Sequence, residues 1–343
     1  MKLGLVAGSL AELYLPLEVV QVAESLGFES VWTAEAYGSD AVSPAAWLLA
    51  KTSKIKVGTA IMQMPARTPT MAAMTALTLN ELSEGRFMLG LGPSGPGVVE
   101  GWYGVPYGRS LTRTREYISI IRQVLARKAP LTHEGYHYQI PNTGGGTTGL
   151  GIPLTSIVKS QYELPIFTAA VTPKGLACAA EVADGVFPIW MDPERFDLLE
   201  PNLNKGFSVS GNTLDNFEIS PFVQMVINDD LDAARKPIKQ HMALYIGGMG
   251  PRGKNFYNDY ASRMGYADEA KQIQDLYLAG DKAKAAALVP DALIDAVALV
   301  GPAARIRERL QVWKQAGLAR HVGRMMIAGA DSKALELLAK ELL

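Results

Sequence analysis

The chain has 343 residues, 48% hydrophobic and 20% charged, enough apolar material for a large core and far from a disordered composition. Its 33 basic and 34 acidic residues leave a net charge of −1, which gives no electrostatic footprint for nucleic acid or an anionic membrane. The single cysteine, Cys178, excludes an internal disulfide framework and a Cys-rich metal site; its apolar surroundings read as a buried helix.

Short apolar runs alternate with longer helical patterns, the signature of repeated βα units around a parallel sheet. The predicted order begins with strand Leu3–Ala7, helix Pro16–Leu26 closed by Gly27, strand Ser30–Thr33 and helix Pro44–Lys51. Strand Lys56–Ile61, helix Pro69–Leu82 and strand Phe87–Gly90 follow, then a Gly/Pro-rich loop, Gly92–Gly108, and helix Thr112–Arg127. Leu131–Ile140 reads as a β-hairpin and Gly144–Gly151 as a loop. The rhythm resumes with strand Pro165–Ala169, helix Lys174–Ala183 and strands Gly185–Trp190 and Glu218–Val226. A helical stretch at about 233–298, with a loop at Gly247–Gly253, is longer than a crossover needs and reads as an inserted lid. Helix Ala303–Ala316, strand Arg324–Ile327 and helix Ser332–Leu342 complete the chain. The predicted fold is therefore α/β, a (β/α)8 TIM barrel forming a single domain over residues 1–343. A doubly wound open sheet fits the same alternation, but no GxGxxG follows the first strand and no P-loop string occurs. No apolar run reaches the ~18 residues of a membrane span, and no long apolar signal region precedes the first strand, so the chain reads as cytosolic.

In such a barrel the site is built from the loops after the strands. After the second strand comes Glu35, which can orient or protonate a ligand at the mouth, or else cap a helix or pair with an arginine. After the third comes an apolar stretch, Gly58–Pro65, readable as a flat wall or as continued core. After the fourth, Gly90–Val99 offers close backbone and the Ser94 hydroxyl, a phosphate cradle or an ordinary turn-rich loop. After the fifth, Thr168, Ala169 and Ala170 precede a helix whose first turn holds Pro173, a natural phosphate position. Trp47, Met62, Met64 and Trp190 suggest an apolar mouth, unless they are core. The four histidines lack metal-ligand spacing, and no GxSxG supports a serine triad.

In order along the chain, the strings SVWTAE at 30–35, VGTAI at 57–61, GRFMLGLGPSGP at 85–96, VEGWYGVPYG at 99–108, AEVADGV at 180–186 and VGP…IRERL ending at Leu310 resemble the luciferase-like monooxygenase superfamily. The SGP…VEGWYGVPYG loop resembles its branch that uses the deazaflavin coenzyme F420. The resemblance implies a hydride-transferring oxidoreductase acting on a small organic substrate, as a homodimer, with a cis peptide at Ala60–Ile61 behind the ring. It implies Glu35 at the ring's polar edge, and the phosphate gripped by Ser94, Gly95, Pro96, Gly97 and Val98 and by Thr168–Ala170. Sugar-phosphate dehydrogenases of this branch carry a His where this chain has Ala36, and a Glu in the loop after the fourth strand where it has Ser-Gly-Pro-Gly. That substrate is therefore not expected, and proton delivery falls to Glu35 or Tyr37. The alternatives are an FMN-dependent monooxygenase and a non-catalytic, ligand-binding barrel.

Overall fold

The computed structural model describes residues 1–7 and 15–343. Its parallel strands are β1 (Lys2–Val6), β2 (Ser30–Thr33), β3 (Lys56–Thr59), β4 (Phe87–Gly92), β5 (Ile166–Ala169), β6 (Gly185–Phe187), β7 (Phe222–Ile227) and β8 (Arg324–Ala328). Neighbours pair in chain order from β1 to β6, and β8 lies between β1 and β7. The ring closes through Glu218–Ile219, just ahead of β7. This pair runs beside β6, with Ser220 N donating to Val186 O at 2.9 Å, while Gly323 N on the β8 side donates to Ile219 O at 2.9 Å. Pro221 has no N–H for the ladder, and the strand predicted as one run breaks there. The expected (β/α)8 barrel is the observed fold.

Inward side chains fill the barrel in layers. Trp32 is central, edge-on to Phe167 at 5.5 Å and to Phe187 at 5.2 Å, with Met88 and Met326 completing the layer. A Cβ on Gly58 would lie 2.3 Å from the Trp32 ring, so only glycine lets β3 pass it. Beneath, at the N-terminal end, Arg324 is 1% exposed and pairs with Glu218 at 2.7 Å and with Glu29, its guanidinium 5.3 Å over Trp32.

Three local differences from the sequence reading have physical causes. Helix Glu200–Ser210 stands where the sequence reading has no element, and it carries Gly206 in mid-run, a residue of low helix propensity. Its missing Cβ would sit 2.2 Å from Ala177 O, so glycine lets this helix lie flush on helix Pro173–Val182. The Gly/Pro loop contains a short helix, Pro96–Gly101, with proline at its start. Strand Gly185–Trp190 stops at Phe187, before Pro188. Over the helical stretch lie helices Leu231–Ala243, Phe256–Arg263, Ala267–Leu278, Lys282–Ala287 and Asp291–Val297. This segment meets the C-terminal end of the barrel, where Arg263 Nη2 donates to Val171 O at 3.0 Å and Tyr260 Oη to Trp190 O at 3.5 Å.

Candidate functional site at the barrel mouth

The mouth is organised around the end of β3. Thr59 Oγ1 donates to Gly90 O at 2.7 Å and accepts from Gly90 N at 3.0 Å, locking β3 to β4. The Ala60–Ile61 peptide is cis, and pairing with β4 resumes at Met62–Gln63. Gly92 lies directly beneath Ile61; a Cβ there would come 2.7 Å from the Ile61 side chain. The bulge thus presents a small apolar surface, Ala60 and Ile61, on the glycine-paved end of β4.

Glu35 holds this bulge. Its carboxylate, with the side chain 5% exposed, lies 2.9 Å from Arg67 Nη1 through both oxygens. It also accepts from Gln63 N at 2.8 Å, while Gln63 Nε2 donates to Ala36 O at 2.9 Å. Tyr117 Oη in turn donates to Arg67 O at 3.2 Å. Of the two sequence readings, mouth carboxylate and arginine partner, the structure realises the second, next to the mouth. Both oxygens are occupied, an arrangement suited to positioning. The nearby Tyr103 phenol is held above its ordinary range by burial and by the Glu35 charge.

The loop after β4 is open. Around Gly95 and Gly97, beyond the chain immediately adjoining them, no atom lies within 4 Å of where a Cβ would sit. Ser94 takes φ +58. The other described non-glycine residues with positive φ are Glu84, Arg127 and Arg320, which follow helix ends, and Trp190 at φ +47. Ser94 and Trp190 end no helix; both stand in mouth loops, where such conformations, which cost about 1–3 kcal/mol, concentrate.

After β5 the structure separates the expected residues. Phe167 and Ala169 face the barrel interior, so by strand alternation Thr168, buried, faces the helix layer. Only Ala169 and the Ala170 backbone stand at the mouth. The Thr172 hydroxyl is committed to its helix, accepting from Gly175 N at 3.0 Å. The expected apolar mouth also divides. Met62 and Met64 are core, and Trp47 is 54% exposed on the outer face of helix Val42–Lys51, with Lys51 4.8 Å over its ring. Trp190 alone stands at the mouth. Tyr37 is 63% exposed. Sequence reasoning missed Phe222 and Gln224, which alternate with the outward core residues Val223 and Met225 and so face inward near the mouth. The polar Gln224 within an apolar strand is the signal that could have found them. Among the described residues no cluster of His, Cys, Asp or Glu could hold a metal ion.

With the mouth defined, comparison with known proteins decides the family. The profile described as luciferase-like monooxygenase matches residues 9–320. The chain belongs to the luciferase-like monooxygenase family. A curated relative from Mycobacterium tuberculosis, named "Putative coenzyme F420-dependent oxidoreductase Rv3520c", is 45% identical over 318 residues, 92% of this chain and 90% of that protein. A 5,10-methylenetetrahydromethanopterin reductase of Archaeoglobus fulgidus is 28% identical, covering 96% of this chain and 95% of its own. The solved coenzyme F420-dependent tetrahydromethanopterin reductase from Methanopyrus kandleri superposes with a TM-score of 0.76 at 24% identity, over 99% of this chain and 97% of its own. For this member of the luciferase-like family, that last likeness speaks to the fold.

Proposed function

We propose that the protein is a coenzyme F420-dependent oxidoreductase that moves a hydride between the deazaflavin and a small organic substrate. The observation that carries this reading is the 45% identity, spanning 92% of the chain, with the mycobacterial protein of that name. The mouth fits such a cofactor: a flat apolar bulge at Ala60–Ile61, and at Gly95 and Gly97 an open loop whose backbone an anion can approach. Ala60 and Ile61 would back the ring, with Glu35, through Gln63 N and Arg67, holding the bulge in place. Ser94–Val98 and the backbone at Ala169–Ala170 would hold the phosphate. When bound, coenzyme F420 supplies the two-electron hydride chemistry. The chain itself positions the ring, keeps its rear face dry and leaves the open face to substrate. On the family resemblance we also place it in the cytosol as a homodimer. Among the described residues no helix is long and apolar enough to cross a membrane.

Titration of the protein into oxidised coenzyme F420 is expected to quench the cofactor's fluorescence to saturation, while FMN binds at least ~10-fold more weakly. Preference for FMN supports the flavin monooxygenase reading instead, and failure to bind either cofactor removes both enzyme readings.

A further inference from the structure

Aromatic side chains from distant parts of the sequence gather over the mouth: Trp190 after β6, and His241, Tyr245 and Tyr257 from the helical segment. Tyr245 is the hub, its ring 4.6 Å from that of His241, 4.7 Å from Tyr257 and 6.2 Å from Trp190. Helix Leu231–Ala243 runs into a π turn, Leu244–Gly248, a geometry often found at functional sites. Side chains satisfy the carbonyls of this turn. The buried Asn255 donates Nδ2 to Tyr245 O at 3.0 Å and to Ile246 O at 2.9 Å, and Asn258 Nδ2 reaches Ile246 O at 3.2 Å. Burial, and to a lesser degree the Tyr37 phenol, disfavours ionisation of the Tyr245 phenol.

The cluster lacks polar partners. Tyr260, next to it, places its hydroxyl on Trp190 O. Among the described residues the His241 imidazole and the Tyr245 and Tyr257 hydroxyls make no hydrogen bond, although burial disfavours the charged form of each. The three side chains are only partly buried, so these polar atoms stay open to a ligand at the mouth.

We propose that His241, Tyr245 and Tyr257 form the substrate subsite, hydrogen-bonding the oxygen of a ring-bearing carbonyl compound or its alcohol. The tyrosine rings receive the substrate's ring by edge or offset stacking, with Trp190 as backing. The proposal rests on the hydride-transfer reading above, in which the carbon bearing that oxygen is the hydride partner. Reduction puts the hydride, with its two electrons, on this carbon and one proton on the oxygen; oxidation of the alcohol removes both. His241, stacked on Tyr245 and itself partly exposed, is placed to pass that proton to or from solvent.

The test is binding of acetophenone to the full chain by ligand-observed NMR, with ethylbenzene as the oxygen-free match. Acetophenone is expected to bind about tenfold more tightly than ethylbenzene, and His241→Ala and Tyr245→Phe each to remove about that tenfold while leaving ethylbenzene binding and the melting temperature unchanged. The proposal is overturned if acetophenone does not bind, binds no better than ethylbenzene, or binds both variants as it binds the parent protein. Both variants are also expected to quench coenzyme F420 as the parent does; loss of quenching in them alone would assign the cluster to the cofactor and overturn the subsite. If the parent protein fails to quench but the acetophenone results hold, the cofactor reading fails and the subsite stands.

Discussion

Arg324→Met is expected to destabilise the protein by ~3–5 kcal/mol at neutral pH, the cost of removing one partner from a buried ion pair. Arg324 lies at the floor of the barrel with Glu218 and Glu29 against it, the Glu218 carboxylate at 2.7 Å. Burial by itself would raise the Glu218 carboxyl, but the Arg324 charge and hydrogen bonds from Arg324 and Lys2 outweigh it and hold the group at about 2. Glu29 is lowered in the same way, burial being outweighed by Arg324 and Lys56. A carboxyl whose folded pKa is depressed stabilises above its unfolded pKa, and that stability is lost as pH falls from the ordinary 4.5 towards about 2. Without Arg324 the burial penalty is uncompensated, because Lys2 and Lys56 reach these carboxylates only from the rim, half exposed. The two acids then favour their protonated forms, and the variant loses most where both should be charged. Melting temperatures at pH 7 and pH 3 read this out: the gap between parent and variant is wide at pH 7 and narrows at pH 3. A variant as stable as the parent at pH 7, or a gap that widens in acid, contradicts the assignment.

Glu35→Ala is expected to weaken coenzyme F420 binding by about 10–100-fold, since displacement of a positioning group by an ångström costs on that scale. The substitution leaves Arg67 with only Asp40, 4.0 Å away, and deprives Gln63 N of its acceptor, so the bulge loses its anchor at both points. Glu35→Gln keeps an acceptor oxygen for Gln63 and is expected to fall between the two. Fluorescence titration separates them, and unchanged affinity in Glu35→Ala would show that the bulge needs no support from the carboxylate.

The elements nearest to repetition were the most legible in the sequence. Alternating apolar strands and helices at Ser30–Thr33, Phe87–Gly92 and Arg324–Ala328 show the barrel, and the mouth loops follow from its topology. The direction of single side chains was less legible. Thr168 stands in a promising loop string, yet strand alternation turns it to the helix layer, and Met62 and Met64 continue the core past the bulge. Trp47 is neither mouth nor core, but 54% exposed on the outside of its helix. The aromatic cluster lay beyond sequence reasoning for a different reason. Trp190 and Tyr245 are brought together by a π turn and by Asn255, neither of which leaves a period in the sequence. Gly206 in helix Glu200–Ser210 lowers helix propensity but permits close helix contact, which the sequence pattern does not show.

Whether a phosphate-bearing deazaflavin sits against the loop after β4 is tested most directly at Gly97. Beyond its chain neighbours and its own helix backbone, no atom lies within 4 Å of where its Cβ would be, so Gly97→Asp leaves the fold intact while placing a carboxylate where the phosphate is expected. This variant is expected to keep the parent's melting temperature and to bind coenzyme F420 about tenfold more weakly or worse, the loss easing as salt screens the repulsion. Unchanged affinity at low salt in a folded variant would contradict that placement.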